Sequence, residues 1–336
     1  MRPDRVLEVL AGTPARPDGR APDPLPGSAP SLRAGEECGL ALRRAPRLAP
    51  VDLMRRLLLP VWLGVLLPQA ALADATATVR YGSVADADLG AARMQAREYG
   101  LGLQWSDGRF AAGAVRVGLD YAYTRYQYER LPTRNRDLHR VRVPVEWKGG
   151  AVRRQSVMLA PVIAASSNVF KDLPSRGSSE DYSLHGHWHV ERPARGEGWG
   201  WRVGVARSDV FGGLAFHPVI AALWRGARAM AEVGWPGSRI EWRVRPAVAL
   251  GAELLPAGGR WHVVSDERDG ADFYYNMEAW RGGLTAAWAP RRRLQLAARA
   301  GVEFARRHRF EDDTGAIVDR DPDAAPYVEL ALGWRW

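Results

Sequence analysis

The pattern that most limits what this chain can fold into is a period of two. After about residue 74, charged and apolar residues alternate over whole strand lengths, and a strand turns successive side chains to opposite faces. In Leu138 to Trp147 one face carries Val141, Val143, Val145 and Trp147, and the other Arg140, Arg142 and Glu146. Around Arg239, Ile240, Trp242 and Val244 oppose Glu241, Arg243 and Arg245. From Arg293, Leu294, Leu296, Ala298, Ala300, Val302 and Phe304 oppose Gln295, Arg299 and Glu303. The last strand sets Val328, Leu330, Leu332, Trp334 and Trp336 against Tyr327, Glu329 and Arg335. The chain reads as all-β.

A soluble sandwich also alternates, so length and aromatic placement decide. Several of these runs reach about 10 residues, enough to cross the hydrocarbon layer at a tilt and longer than the usual strand of a globular sheet. A charge facing lipid at midplane costs roughly 2–4 kcal/mol, so the charged faces must turn to a lumen. An open edge in lipid leaves backbone groups unpaired at several kcal/mol each, so the last strand must pair with the first. The expectation is a transmembrane antiparallel up-and-down β-barrel.

About 14 strands start near Thr76, Ala96, Ala111, Leu138, Gln155, Tyr182, Trp199, Ala215, Arg228, Arg239, Val248, Phe273, Arg293 and Pro326. The connections SDGR, KGG, PARGEG, RGA and PRR are tight, while those centred on ERLPTRNRD, SNVFKDLPSRGSSED, SDERDGAD and RRHRFEDDTGAIVDRDPDAA are long. WPGS is short where a long connection is expected, which leaves 12 strands as the alternative. Trp105, Trp147, Trp199, Trp224, Trp288 and Trp336 fall beside the tight turns or the terminus. Tyr123, Tyr126, Tyr128, Tyr182, Tyr274 and Tyr275 fall towards the other ends, which predicts two aromatic girdles.

Residues 1–53 are rich in Pro, Arg, Ala and Gly with no sustained period, and are expected to be disordered or an upstream extension. Met54 opens a second beginning. Arg55 and Arg56 form a positive region, Leu57 to Leu67 an apolar core, and Ala71-Leu72-Ala73 a small-residue cleavage site. The expected division is therefore a signal peptide at 54–73 and a barrel at 74–336. No later run is long and apolar enough for a membrane-spanning helix.

The terminal run YVELALGWRW, apolar at every second position up to a closing aromatic, resembles the C-terminal assembly signal of Gram-negative outer-membrane proteins. Its carriers are Val328, Leu330, Leu332, Trp334 and Trp336, and the resemblance implies insertion by the outer-membrane barrel-assembly machinery. Partners would then be outer-membrane lipid and lipopolysaccharide. FHPVIAALW, GWPGSRIEWRV and GGRWHV are similar to a proteobacterial family of β-barrels of unknown function, which brings no catalytic residues with it.

Three side-chain groups could carry chemistry within such a barrel. His185, His187 and His189 share one strand face, but the outer pair would stand about 13 Å apart, too far for one zinc ion. Filling of a polar lumen is the plainer reading. Asp319, Asp321 and Asp323 resemble the start of a calcium loop, yet Ala324 and Leu330 replace the expected glycine and glutamate. Arg116, Arg140, Arg142, Arg202, Arg243, Arg245 and Arg299 are expected to face the lumen with Glu146, Glu232, Glu241 and Glu303. They either form an anion-attracting wall or pair with the glutamates.

The lone cysteine, Cys38, lies before the barrel and excludes a disulfide framework there. The whole chain carries +9. Residues 1–73 hold 10 basic and 7 acidic side chains, which leaves 37 against 31, a net of +6, interspersed and without a nucleic-acid arm. His139, His217, His262 and His308 lack local partner motifs, and no cofactor motif is present. The leading expectation is an outer-membrane pore or transport-related barrel with a mixed-charge, mildly anion-favouring lumen. The alternatives are a non-conducting structural or surface-interaction barrel and a membrane-embedded lipid hydrolase or acyltransferase.

Overall fold

A computed structural model describes residues 75–90, 92–110, 112–130, 136–150, 153–173, 179–194, 196–265, 271–312 and 317–336. The expected signal peptide and upstream segment lie outside these residues. Strands β1 (Ala75–Leu89), β2 (Ala92–Phe110) and β3 (Gly113–Glu129) are followed by β4 (Arg136–Arg142) and β5 (Val145–Gly149). After β6 (Arg154–Ser166) come a short helix α1 (Ser167–Lys171) and a 3-10 turn (Ser179–Asp181). Next are β7 (Tyr182–Arg192), β8 (Gly198–Phe211), β9 (Gly213–Arg225), β10 (Ala229–Trp235) and β11 (Ser238–Arg245). The remainder are β12 (Val248–Pro256), β13 (Gly259–Ser265), β14 (Ala271–Arg291), β15 (Leu294–Asp312), β16 (Ile317–Arg320) and β17 (Ala325–Arg335). Among the described residues no helix is long and apolar enough to cross a membrane.

These segments build a closed antiparallel barrel of 14 strands. β4 with β5, and β12 with β13, each act as one interrupted staircase, while β16 pairs beside β15. The seam is β1 against β17, running from Thr76↔Arg335 to Val84↔Tyr327, and Trp336 N–H donates to Ala75 O at 3.1 Å. WPGS is a true hairpin between β10 and β11, which removes the twelve-strand alternative. The run expected as one strand from Leu138 to Trp147 is interrupted at Val143-Pro144. A proline has no N–H for the ladder; instead Pro144 O accepts from Gly118 N–H at 2.8 Å.

The barrel has a terminal end, which holds Ala75 and Trp336, and a distal end opposite it. In the terminal half the wall is apolar outside and charged inside. Ile240 and Trp242 of β11, Val203 of β8, Leu284 of β14 and Leu330 of β17 are all exposed on the outer face. Large apolar side chains exposed on successive strands around the wall differ from the single scattered ones of a soluble monomer. This is the surface of a barrel in a membrane, with Trp105, Trp199 and Trp288 exposed near its terminal rim.

The distal half reverses this arrangement. On β2, Leu101 and Leu103 face out, while Met94 and Ala96, on the opposite face, are buried inside. On β14, Leu284 faces out, but Phe273, Tyr275, Met277 and Ala279 are buried on the inner face. The pleat is unchanged along both strands; only the chemistry of the two faces is exchanged. Register shifts at Val84/Ala87, Ser208/Phe211 and Glu278/Trp280 lie at this level, and Ala305 takes φ 48°. Bulges of this kind bend a wall and re-aim its side chains.

The bend carries β13 inward. It leaves β12 at Gly258, where an added Cβ would come within 2.2 Å of Val210 O, so only glycine permits the crossing. One edge of β13 pairs with β14, and the other makes a parallel bridge, His262↔Ala165, with β6. A smaller ring is thereby nested at the distal end, running β1-β2-β3-β4-β6-β13-β14-β15-β17, and it encloses one apolar cluster. Tyr126, Leu138, Val162, Trp261, Val263 and Tyr275 form its centre, with Tyr128 and Phe310 packed against them.

The tyrosine girdle needs correction accordingly. Tyr126 and Tyr275 are core residues of this ring, 2% and 0% exposed, because the apolar face has turned inward there. The outer aromatic ladder is instead Tyr81, Tyr99 and Tyr123, with ring centroids 5.3 and 5.9 Å apart, continuing through His139 to Phe170.

Candidate functional site

Below the apolar cluster the interior is a lattice of ion pairs. Arg281 of β14 reaches Glu98 of β2 at 2.5 Å and Glu303 of β15 at 2.8 Å. β14 and β2 are separated in the wall by β15, β17 and β1, so this contact crosses the interior. Glu303 also meets Arg306 at 2.9 Å. Glu253 of β12 receives Arg239 at 3.2 Å and Arg299 at 3.1 Å, and Arg299 continues to Glu329 at 2.6 Å. Charges that cannot face lipid are thus sited where each finds an opposite partner, which offsets the cost of removing it from water.

Most residues expected to face the lumen take part. Arg140 grips Asp209 of β8 with both terminal nitrogens, at 3.0 and 2.6 Å, and its guanidinium lies 4.7 Å from the Trp261 ring centre. Arg142 pairs with Asp120 at 2.7 Å. Glu146 accepts from Lys148 and Ser156 at 2.8 and 3.0 Å. Arg202 bonds Glu191 at 2.8 Å and also Glu232. Arg243 and Glu241 are only loosely apposed at 3.9 Å. Arg116 and Arg245 have no carboxylate partner among the described residues; both are exposed.

The nested ring fills only one side of the distal half. Between it and β7–β9 lies a polar cavity of about 260 Å³, lined by Ser179, Asp181, Ser183, Asp209, Arg260, His262 and Tyr274 among others. The alternation of β13 explains the split: Trp261 and Val263 enter the apolar cluster, while Arg260 and His262 face the cavity. His262 Nδ1 lies 2.8 Å from Asp181 Oδ1, and the Arg260 guanidinium lies 3.6 Å from the Tyr274 ring centre. A second cavity, of about 420 Å³, opens at the terminal end and is lined by Glu191, Glu232, Arg239, Glu241 and Arg243 among others.

Polar side chains run from one cavity to the other along β6–β8. Asp209 lines the distal cavity and stands 3.7 Å from His185. His187 meets Ser156 at 3.2 Å and stacks on His189 at 5.0 Å between ring centres. Arg202 then joins Glu191 and Glu232, which line the terminal cavity. His185 and His187 therefore meet different side chains, and among the described residues no three His, Cys, Asp or Glu groups converge as metal ligands. In the distal hairpin, Asp319 is bound by Arg307 at 2.7 Å and by Arg309 at 3.0 Å. A carboxylate so occupied is a poor start for a calcium loop.

Sequence reasoning did not single out Glu98, Asp209, Glu253, Arg260 or Arg281. The inner face of β2 and β14 follows from period two, so Glu98 and Arg281 were within reach. Asp209 and Arg260 were not, since a bulge and an inward bend place them.

No protein family matches the chain, and no curated protein is similar to it. Solved structures resemble it at low identity. The translocator domain of the autotransporter NalP from Neisseria meningitidis is 8% identical, covering 85% of this chain and 96% of that one, with a TM-score of 0.37. An outer membrane channel from Pseudomonas putida F1 is 8% identical, covering 80% and 97%, with a TM-score of 0.41. LpxR from Salmonella typhimurium is 8% identical, covering 78% and 100%, with a TM-score of 0.33. These are outer-membrane-type barrels; the architecture of the present chain rests on its own strand pairing and on its apolar exterior.

Proposed function

We propose that the chain is a transport-related outer-membrane barrel, exported by the segment that starts at Met54, whose passage follows the β6–β8 wall and is held shut by ion pairs. Its distal end faces the cell exterior and its terminal end the periplasm. Insertion uses the closing motif Val328 to Trp336 and the barrel-assembly machinery, and lipid and lipopolysaccharide surround the apolar belt. One observation carries the reading: two cavities at opposite ends are joined by a line of charged and imidazole groups, while the apolar cluster seals the rest. The lumen is of mixed charge, and Arg116 and Arg245, without carboxylate partners among the described residues, give it a mild preference for anions.

Planar-bilayer recording tests this. The unmodified barrel should give small, infrequent steps, with a reversal potential in a salt gradient displaced slightly towards the anion. The double variant Arg140→Ala with Asp209→Ala removes both partners of one ion pair along this passage, leaving neither charge buried alone. Its step conductance should rise several-fold. If neither protein conducts, the proposal fails and the non-conducting alternative stands.

One observation favours a second reading, a hydrolase. His262 and Asp181 are arranged as a base and its orienting carboxylate, with Ser179 and Ser183 lining the same cavity. Ester hydrolysis that His262→Ala abolishes would establish it; equal rates in both proteins would dismiss it.

A further inference from the structure

The distal cavity holds one cation for which the described side chains of its walls provide no carboxylate partner. Each of its two carboxylates is engaged. Asp209 is held by both terminal nitrogens of Arg140 and also accepts from Arg260 N–H at 2.9 Å. Asp181 faces His262 Nδ1. The Arg260 guanidinium differs, having no carboxylate partner among the described residues although it lines the cavity, and its Nε is buried without a hydrogen-bond acceptor. Stacking on Tyr274 fixes its plane. A guanidinium in this condition has donors to offer an acceptor that enters the cavity.

We infer that the distal cavity is a binding site for a small monocarboxylate, with the Arg260 guanidinium as its anchor. A carboxylate matches the planar fork with two parallel hydrogen bonds. The fork of one guanidinium matches one carboxylate, whereas a phosphate dianion would bring a second negative charge beside Asp181 and Asp209. Ser179 and Ser183 supply hydroxyls at the wall, and Ala164 and Leu214 supply an apolar surface for the ligand's carbon skeleton. The volume of about 260 Å³ lies below the roughly 300–1,000 Å³ of sites for drug-sized ligands, so the ligand is small. Binding here does not depend on transport, since a barrel that never conducts could still hold a carboxylate at this mouth.

Calorimetric titration of the full barrel in detergent at about pH 8.5 tests it, with benzoate and acetate as monocarboxylates, benzamide as the uncharged counterpart and inorganic phosphate, mostly dianionic at that pH, as the dianion. Benzoate should bind most tightly, acetate more weakly, and benzamide and phosphate at least tenfold more weakly than benzoate. Arg260→Gln should weaken benzoate roughly 10- to 100-fold, the loss expected for a charge-assisted pair. Arg260→Lys, which keeps the charge and loses the fork, should fall in between, and Arg245→Gln at the other end should bind as the unmodified protein does. Electrophoretic heat-modifiability identifies the folded variants, and the lysine variant keeps the test open if the glutamine variant misfolds. Unchanged benzoate affinity in a folded Arg260 variant, phosphate binding tighter than benzoate, or no carboxylate binding at tens of millimolar would each overturn the inference.

Discussion

Replacing Arg281 with methionine is expected to destabilise the folded barrel by about 3–5 kcal/mol, the range for breaking a buried ion pair by removal of one partner. Arg281 bridges Glu98 and Glu303, at 2.5 and 2.8 Å. The Glu303 carboxylate is 3% exposed and keeps Arg306, whose side chain is fully covered. Glu98 would therefore lose the larger share of its compensation. Urea titration of the barrel refolded into lipid vesicles measures the effect, and the double variant Arg281→Met with Glu98→Gln should recover part of it. A loss under about 1 kcal/mol, the scale of an exposed pair, would mean that water enters this layer freely and that the lattice does not hold the wall together.

Tyr275→Ala is expected to cost a similar amount for a different reason. Its ring is fully buried, set edge-on to Tyr126 with centroids 5.5 Å apart, 4.9 Å from Phe310, and its hydroxyl meets His308 Nδ1. Truncating a large buried aromatic removes its transfer free energy and leaves a cavity, typically about 3–5 kcal/mol. The same cavity lies in the cluster that seals the distal half, so vesicles carrying the variant should also become leakier to small ions. Stability lost without a change in permeability would show that the seal has other layers; permeability gained without lost stability would contradict the packing.

The membrane-crossing half of the fold is legible in the sequence because lipid imposes one rule on every strand there. Val141 and Trp147, or Leu330 and Trp334, cannot be placed except outward, and register then follows from a period of two. The distal half obeys another rule. On β3, Val115, Val117 and Leu119 carry the apolar face near the terminal end; further along the strand, Tyr126 and Tyr128 carry it on the opposite face. Alternation persists through the exchange, so a reading based on period alone continues in the wrong phase and takes core tyrosines for a girdle. The exchange itself is written in the sequence: Arg125 and Gln127 occupy the positions that lipid would forbid. What no local pattern discloses is the departure of β13 from the wall, because it depends on β6 standing where it can be met. The cavity residues Arg260, His262, Asp181 and Asp209 come from separate segments and converge only through that departure.

The parallel bridge between His262 and Ala165 has a consequence for the order in which the molecule is made. Most wall contacts join strands adjacent in sequence and form as hairpins, whereas this one links positions 97 apart. Closing a free loop of that length costs on the order of (3/2)RT ln n, about 4 kcal/mol, for a single bridging pair. Once β7 to β12 stand in the wall, that entropy has already been lost, and the bridge forms at little further cost. Sealing the mouth is thus expected to follow completion of the wall, which would leave a nascent barrel open until β13 meets β6.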